Sequence, residues 1–398
     1  MAAPKARVLV IGGTQFIGRA TVSSLLRIGC DVTLVNRGKT HNPFGSRVRT
    51  ITCDRRKHPD QLLAILRDTG ATAWDAVVDF VAFGPKDVNP IVQAGGRCIR
   101  RYIFVSTDSV YMAVDEDNFV RGQTGALLEA SDAYGVAQPL RAKKDEYGAD
   151  KLQAEVALRA SQDLSSLALR LPDVFGPYEN TERQEKLLMR ILKGRRIGTQ
   201  VEGRDLGHSL PLSIVAAGDV ANAVSVAVAQ ASSHDGSSAA SLPVGLCALH
   251  VCVDERPTWC GLVEGFAAAL RRVGLEFAPV RFDSSRSTSF VSVDCGALDN
   301  EAAKAVLSSW APLPLEQRLQ EAVDWWVDHI YQHTPGEVSG PDANVPALSA
   351  ARRKAAVAAL QSDLDATTLR SGEGDGHTHK RPKAPPPDEI QIEFENMS

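Results

Sequence analysis

The sequence lacks the features of membrane, secreted and nucleic-acid-coating proteins. No apolar run approaches the roughly 20 residues that a membrane-spanning helix needs. The charge excess is small, because 44 Lys and Arg stand against 48 Asp and Glu for a net charge of −4. No global basic field would therefore draw the chain to nucleic acid or anionic lipid. The opening residues MAAPKAR lead directly into an apolar segment, which predicts that the chain carries no signal or transit peptide.

The cysteine pattern does not favour a disulfide framework or a metal site. The seven cysteines are odd in number and scattered along the chain, which predicts reduced thiols in a cytoplasmic compartment. Cys247, His250 and Cys252 have side chains that can bind zinc, but they fall on an apparent strand whose alternation points Cys247 away from the other two. Since no second cluster completes a tetrahedron, we expect no metal.

Short apolar segments alternate with helical patterns from the N-terminus onward. The first, RVLVI at 7–11, is a continuous apolar run typical of a strand that is buried on both faces. Strands that alternate with helices imply right-handed crossovers and a parallel sheet covered on both sides. The sequence therefore predicts an α/β fold built on a doubly wound parallel sheet. We expect further strands at 31–35, 48–54, 74–82, 100–111 and 246–254, and helices at 60–68, 182–193, 218–230, 259–273 and 315–331.

A glycine-rich turn, VLVIGGTQFIGRA, joins the first strand to the first helix. Such a turn presents backbone amides at a helix N-terminus, where the helix dipole favours a diphosphate. Gly12 would make the tight turn, Gly13 would let a phosphate approach, and Gly18 would let the helix pack on the strand. A glycine turn also occurs in other α/β proteins, but a strand before it and a helix after it favour a dinucleotide site.

The second strand ends at the position where a dinucleotide site usually carries an acid that binds the adenosine ribose. That position is Asn36, which offers no carboxylate, and Arg37 follows it. Arg37 can pair with a 2′-phosphate, so the pattern slightly favours NADP over NAD; it can equally be a solvated loop residue. Asp54 is placed either to contact adenine or to cap the next helix. The candidate cofactor-binding residues are Gly12, Gly13, Gln15, Phe16, Ile17, Gly18, Asn36, Arg37, Asp54 and Lys151.

Tyr147 and Lys151 are four residues apart in DEYGADKLQAE, so a helix would place them on one face. An ammonium near a phenol favours the phenolate, and we expect Lys151 to lower the pKa of Tyr147 toward working pH. Tyr147 would then be a general acid/base beside a nicotinamide. Thr107, at the carboxyl end of a predicted strand, would bind the same substrate oxygen. The alternative is that Lys151 is solvated and Tyr147 packs at the rim.

Several motifs resemble those of the extended short-chain dehydrogenase/reductases, the family of NAD-dependent epimerases and dehydratases. GGTQFIG, STDSVY, YGADK and VFGP occur in that family's order. GGTxFIGR, VNRG, WDAVVDFVAF, SVDCGALD and PLPLEQRLQEAVDWW look like the subgroup that contains the chloroplast stem-loop-binding proteins. The resemblance covers about Arg7 to Tyr331. It implies a Rossmann-type domain, a nicotinamide cofactor, and Thr107, Tyr147 and Lys151 in the catalytic positions.

The resemblance also implies a smaller C-terminal substrate domain. We expect the dinucleotide-binding domain to span 1–174, completed by 213–250, and the substrate domain to comprise 175–212 and 251–331. The composition changes near Gln332, so 332–398 is predicted to be a tail, with one Ala-rich helix at 346–366 and a disordered segment from 371 onward. Relatives of this kind often pair two helices into a homodimer interface.

Two departures from the family pattern bear on the reaction. Extended members usually carry glycine at the position of Gln15, so the phosphate turn is atypical. STDSVY resembles the Thr-Asp-Glu motif of sugar-nucleotide 4,6-dehydratases, but Ser109 stands in place of the Glu after Asp108. This replacement removes a proton-transferring group, which disfavours 4,6-dehydration and leaves epimerisation or simple oxidoreduction open. A long segment at 114–135 would form either a lid or a surface loop.

The substrate side is marked by basic residues after the VFGP turn. In relatives this region receives the substrate, and arginine suits a diphosphate. A charged helix face with a solvated end is an equally good interpretation of any one of them. The candidate substrate-binding residues are Asn180, Arg183 and Arg196, with Arg190 and Arg195 nearby.

These patterns lead to two hypotheses of different classes. The first is an NAD(P)-dependent oxidoreductase or epimerase that acts on a sugar or nucleotide-sugar hydroxyl, a small-molecule substrate implied by the resemblance. The second is an RNA-binding or RNA-processing protein on a Rossmann scaffold, for which 193–196 would supply a local basic patch. The intact Tyr-x-x-x-Lys pair and the acidic balance of the chain favour the enzyme.

Overall fold

The computed structural model of the protein describes residues 5–68, 70, 72–114, 119–128, 145–201, 203–233, 244–292, 295–332 and 350–370. The predicted disordered segment from 371 onward lies outside these residues. Within them the strands are β1 (Arg7–Ile11), β2 (Asp31–Asn36), β3 (Arg49–Thr52), β4 (Ala76–Asp79), β5 (Tyr102–Thr107), β6 (Ser165–Leu171), β7 (Asp173–Phe175), β8 (Ile197–Val201), β9 (Arg204–Asp205), β10 (Ile214–Ala216), β11 (Gly245–His250) and β12 (Phe282–Ser287).

The helices alternate with these strands over the first half of the chain. They are α1 (Phe16–Arg27), α2 (Pro59–Arg67), α3 (Pro85–Cys98), α4 (Glu146–Arg159), α5 (Arg183–Leu192), α6 (Ala217–Ser232), α7 (Trp259–Arg272), α8 (Glu301–Val306), α9 (Leu315–Gln332) and α10 (Ala350–Arg370). No helix within the described ranges is long and apolar enough to cross a membrane.

Seven parallel strands form the central sheet, in the order β3-β2-β1-β4-β5-β6-β11. The order reverses beside β1, as in a Rossmann-type fold, and the predicted doubly wound sheet is confirmed. Every residue of β4 and β5 is buried, because helices cover both faces and leave no solvated side. Since all seven strands run in one direction, their carboxyl ends meet at one edge of the sheet.

The boundaries of several predicted elements differ from the structure. The strand predicted at 100–111 ends at Thr107, because Asp108–Ala113 forms a 3-10 turn in which the Thr107 hydroxyl accepts the backbone N–H of Ser109. The predicted strand at 74–82 shrinks to β4, where the Asp79 carboxylate accepts the N–H of Val81 and turns the chain. Helix α3 was not predicted, since Pro90 and two glycines interrupt its apolar periodicity.

A second hydrophobic cluster lies outside the sheet and is built by α5, α7, α9 and the small β8–β9–β12 sheet. Trp259 and Phe266 are fully buried at its centre. The predicted Ala-rich helix is confirmed as α10, and its Leu360 and Leu364 are buried in this same cluster. The C-terminal helix therefore contributes to the core that α7 and α9 form.

Candidate active site

The glycine-rich turn lies at the carboxyl end of β1, where the strand order reverses. Gly12 has a φ of +85°, in the region that favours glycine. A Cβ on Gly18 would lie 2.2 Å from the carbonyl oxygen of Gly12, so the first turn of α1 can approach the strand only with glycine at this position. Gly12 thus makes the tight turn and Gly18 lets the helix approach the strand, while their part in binding a dinucleotide stays a prediction.

Gly13 also has a packing role that was not predicted. A Cβ on Gly13 would meet side-chain atoms of Leu34 and Val22, each at 2.8 Å. The missing side chain therefore makes room for the packing of α1 against β2, and the expectation that it lets a phosphate approach stays a prediction.

The N-terminus of α1 fits a diphosphate. Gln15 is its N-cap residue, and among the described residues no side chain caps the first-turn amides and no acid lies in that turn. These amides lack intrahelical partners and carry the positive end of the helix dipole. Phe16 has a left-handed φ of +39°, which costs about 1–2 kcal/mol in a residue with a side chain. Phe16 and Ile17 are the first two residues of α1 and follow Gln15 directly.

The loops after β2 and β3 surround the place where an adenosine would lie. The Asn36 carboxamide accepts the backbone N–H of Gly38 at 2.8 Å, so its side chain shapes the loop. Arg37 is exposed beside it. Asp54 accepts the backbone N–H groups of the two residues that follow Arg55, which caps the turn before α2 and leaves the adenine role a proposal.

Thr107, Tyr147 and Lys151 come together at the carboxyl end of β5. The Tyr147 hydroxyl forms a hydrogen bond with the Thr107 side chain, and this bond acts to lower the pKa of Tyr147. Lys151 is 2% exposed and donates to the carbonyl of Val105 at 2.7 Å. Its Nζ lies 5.8 Å from the Tyr147 ring centroid and 5.2 Å from that of Phe83, so an aromatic wall surrounds the ammonium.

Burial reverses the predicted effect on the phenol. The pKa of Tyr147 is raised above its ordinary value, first because its surroundings exclude water and second because Asp108 lies nearby; the Thr107 hydrogen bond lowers it only in part. Burial also lowers the pKa of Lys151 to about 8. The expectation that the pKa of Tyr147 is lowered toward working pH is therefore wrong, because burial disfavours the phenolate.

Asp108 lies on the other side of Thr107 and was noted in the sequence only as part of a motif. Its Oδ1 lies 3.3 Å from the Thr107 hydroxyl, and its Oδ2 lies 3.9 Å from the thiol of Cys295. Burial, and then the charge of Asp173, raise the pKa of Asp108 well above its usual range. Burial therefore favours the protonated form of Asp108 beside the Thr107 hydroxyl. Nothing in the sequence pairs Cys295 with it, since 187 positions separate them.

The three candidate substrate residues are spread over the region rather than gathered. Arg183 donates to Asp173 at 2.6 Å and to the carbonyl of Phe290 at 3.0 Å. Asn180 donates to the side chain of Gln15 at 3.4 Å, which links the loop after β7 to the glycine turn. Arg196 is exposed beyond the opposite end of α5.

A row of buried polar side chains, which sequence reasoning missed, lies beneath the site. Arg170 pairs with Glu155 at 2.6 Å, and both are fully buried. Arg170 also donates to the Tyr111 hydroxyl at 2.8 Å, which lies 2.5 Å from Nε2 of His250. Burial, and then the charge of Arg170, lower the pKa of His250 to about 3. The one available signal was the position of Glu155, four residues after Lys151.

Residues 119–128, in the long segment after β5, lie against the loop before α8. Leu127 forms parallel bridge contacts with Leu298, and its backbone N–H donates to the carbonyl of Ala297 at 2.8 Å. This part of the segment is therefore held by main-chain hydrogen bonds. The rest of the predicted lid or surface loop lies largely outside the described residues.

Comparisons with known proteins bear on the family and the fold of this chain. The sequence profile of the NAD dependent epimerase/dehydratase family matches residues 8–238. A curated relative from Arabidopsis thaliana, the chloroplast stem-loop binding protein of 41 kDa b, is 25% identical over 223 residues. That match covers 52% of this chain and 53% of the relative, so the chain spans about half of the relative's length.

Solved structures share the fold over most of the chain. A UDP-glucose 4-epimerase has a TM-score of 0.60 at 17% identity and covers 84% of this chain and 100% of its own. The Bordetella bronchiseptica enzyme WbmH, solved in complex with NAD+, has a TM-score of 0.55 at 17% identity and covers 81% of this chain and 98% of its own. At these identities the likeness concerns the fold.

The protein should lose stability in mild acid because of His250. The unfolded chain takes up a proton near the ordinary pKa of 6.5, whereas the folded chain resists it down to about 3. Stability from this residue is therefore complete above about pH 6.5 and falls as the pH falls toward 3. One such group costs about 2 kcal/mol between pH 6.5 and 5, which urea unfolding at several pH values would measure.

The matched variants are His250→Gln, which removes the titrating group, and His208→Gln, which removes an exposed histidine. The first should flatten the dependence of the unfolding free energy on pH in this window, and the second should leave it unchanged. An equal slope in both variants and the natural protein would refute the assignment.

Proposed function

Because the chain belongs to the NAD dependent epimerase/dehydratase family, we propose that it transfers a hydride between a nicotinamide cofactor and a sugar hydroxyl held by Thr107 and Tyr147. Family membership supports an NAD(P)-dependent enzyme of the epimerase/dehydratase type. The observation that carries the proposal is the meeting of the Thr107 hydroxyl, the Tyr147 phenol and the buried Lys151 at one sheet edge. The glycine turn opens on that same edge.

Each of the three side chains has a defined task. When bound, an oxidised nicotinamide would supply the hydride acceptor and a positive charge. With the cofactor bound, Tyr147 would first release its own proton to water; the phenolate would then take the proton from the substrate hydroxyl, and Thr107 would orient the same oxygen through a hydrogen bond. Lys151, with a pKa of about 8, is mostly protonated at neutral pH and favours the phenolate that forms. Burial raises the pKa of Asp108 well above its usual range, which reduces the negative charge that Asp108 places beside Tyr147.

A nucleotide sugar is the substrate class that we propose. The support is the loop after β7, where Asn180 contacts Gln15 at the diphosphate turn and Arg183 lies close enough to influence Tyr147. Several solved structures with this fold are named for UDP-sugar epimerases. An anionic diphosphate would have to compete with Asp173 for Arg183, and it would gain a guanidinium suited to phosphate geometry.

Removal of the phenol hydroxyl tests the catalytic assignment. Tyr147→Phe should lower kcat by at least about 100-fold, since it removes the general acid/base. The dissociation constant of the cofactor, measured by the fluorescence of the reduced dinucleotide, should stay within about twofold, since the ring and its packing remain. Unchanged turnover with intact cofactor binding would contradict the role of Tyr147.

The exposed Arg37 supports NADP as the preferred dinucleotide. Arg37→Ala should weaken NADPH binding by about tenfold, the cost of roughly 1.4 kcal/mol that one charged hydrogen bond supplies. NADH binding should not change. Lys39→Ala is the matched control, because it removes the same charge two residues away on the same exposed loop. Equal losses for both cofactors would show that Arg37 acts only through its general field.

RNA binding is a second candidate function, which we propose because five exposed basic residues gather at one end of the substrate side. Arg281 donates to the carbonyl of Gly194 at 2.7 Å, which brings β12 beside the end of α5. The relative from Arabidopsis thaliana is named for stem-loop binding. The basic cluster comprises Lys193, Arg195, Arg196, Arg281 and Arg286.

Charge reversal within the basic cluster distinguishes RNA binding from catalysis. The double variant Arg195→Glu, Arg196→Glu should weaken binding of a stem-loop RNA and reduce the slope of log affinity against log salt by about 1.5 units, because two phosphate contacts disappear. NADPH binding serves as the control and should not change. If the natural protein binds the RNA no better than the variant at any salt concentration, the second function is excluded.

A further inference from the structure

The buried polar row beneath the site forms a continuous chain of hydrogen bonds, here called the polar relay. Its members are at most 3% exposed, so each donor and acceptor must find a partner within the protein. Disruption of such hydrogen bonds is costly, because a buried polar group that loses its partner cannot form a hydrogen bond with water instead. The polar relay consists of Ser106, Glu155, Arg170, Tyr111 and His250.

The directions of its hydrogen bonds follow from the chemistry of the groups. Arg170 can only donate, so the Tyr111 oxygen accepts from it at 2.8 Å. The single hydroxyl hydrogen of Tyr111 is then given to Nε2 of His250, 2.5 Å away. His250 is neutral because burial holds its pKa near 3, so Nδ1 carries its proton and donates to the carbonyl of Asp299 at 2.8 Å.

The other arm of the relay joins β5 to α4. Ser106 donates to Glu155 at 2.6 Å, and Glu155 accepts two further bonds from Arg170. Ser106 stands between Val105, whose carbonyl receives Lys151, and Thr107. The relay is therefore attached to the strand at the residue between two parts of the catalytic set.

Tyr111 connects the relay to the turn that Thr107 caps. The turn Asp108–Ala113 follows Thr107 directly, and Tyr111 is its last fully buried side chain with a polar end. Its ring packs edge-on against Phe119 and His250, with centroids 5.8 and 5.6 Å away. Packing holds the Tyr111 ring in place. The hydrogen bonds of its hydroxyl with Arg170 and His250 connect the turn to the buried polar groups.

We propose that Tyr111 is a positioning residue, whose hydroxyl, held between Arg170 and His250, keeps the Thr107 hydroxyl within hydrogen-bond reach of Tyr147. The relay ties both sides of that pair to one rigid centre, since Glu155 fixes α4 and Tyr111 fixes the turn. A displacement of the turn would separate the Thr107 and Tyr147 hydroxyls. Misplacement of a group that orients the substrate lowers the reaction rate strongly. The effect on turnover rests on the proposed function, whereas the effect on Tyr147 does not.

The test compares Tyr111→Phe with Ser225→Ala. Tyr111→Phe keeps the ring and deletes only the hydroxyl, while Ser225→Ala deletes a buried hydroxyl that bonds Ser24 at 2.9 Å, away from the site. The protein is labelled with ¹³Cζ-tyrosine, and the Tyr147 resonance is assigned by its loss in Tyr147→Phe. The Tyr147 resonance should shift in Tyr111→Phe, because the hydrogen bond of the Tyr147 hydroxyl changes. It should stay in place in Ser225→Ala.

Turnover of UDP-glucose as a probe supplies the second measurement. In Tyr111→Phe, kcat should fall at least about tenfold, equivalent to about 1.4 kcal/mol, with KM and the cofactor dissociation constant within about twofold. An unshifted Tyr147 resonance together with an unchanged kcat would overturn the proposal. If the natural protein does not turn over the probe, the proposed substrate class fails instead, and the resonance still decides the role of Tyr111.

A second pair of variants protects the test against misfolding of Tyr111→Phe. His250→Gln keeps an acceptor near the Nε2 position, whereas His250→Leu offers the Tyr111 hydroxyl no partner. The Tyr147 resonance should shift more in His250→Leu than in His250→Gln. Equal shifts in the two variants would mean that the polar end of the relay does not position the turn.

Discussion

The fully buried ion pair between Glu155 and Arg170 is the interaction on which the geometry of the candidate active site depends. An ion pair without water gains little net stability over apolar packing, because desolvation offsets the attraction, but removal of one partner leaves a buried charge that is very costly. The pair therefore acts as a geometric constraint. It joins α4, which carries Tyr147 and Lys151, to strand β6 of the sheet.

The same burial changes the pKa values of the ionisable groups in the candidate active site. It raises the pKa of Tyr147 and of Asp108, and it lowers the pKa of Lys151 to about 8. Each of these three pKa shifts favours the neutral form of the group in the folded protein. Under the proposed mechanism, Tyr147 would release its proton only when the positively charged nicotinamide lies beside it, which would confine base chemistry to the assembled complex.

The fold could be predicted from the sequence, because buried parallel strands such as β1 leave uninterrupted apolar runs and Gly12 and Gly18 mark the turn. The meeting of Thr107 with Tyr147 could also be predicted from strand-end and helix spacing. The direction of the Tyr147 pKa could not, since it depends on burial from many sides. Contacts such as Cys295 with Asp108 join distant segments, and no local pattern encodes them.

The position of α10 has a consequence for the order in which the protein can fold during synthesis. All seven strands of the central sheet have been made once β11 has left the ribosome. The second cluster cannot close at that stage, because Leu360 and Leu364 belong to it and follow α9 in the chain. Nascent chains would thus expose the apolar sides of α7 and α9 until α10 has also been made, the interval in which chaperones usually bind such surfaces.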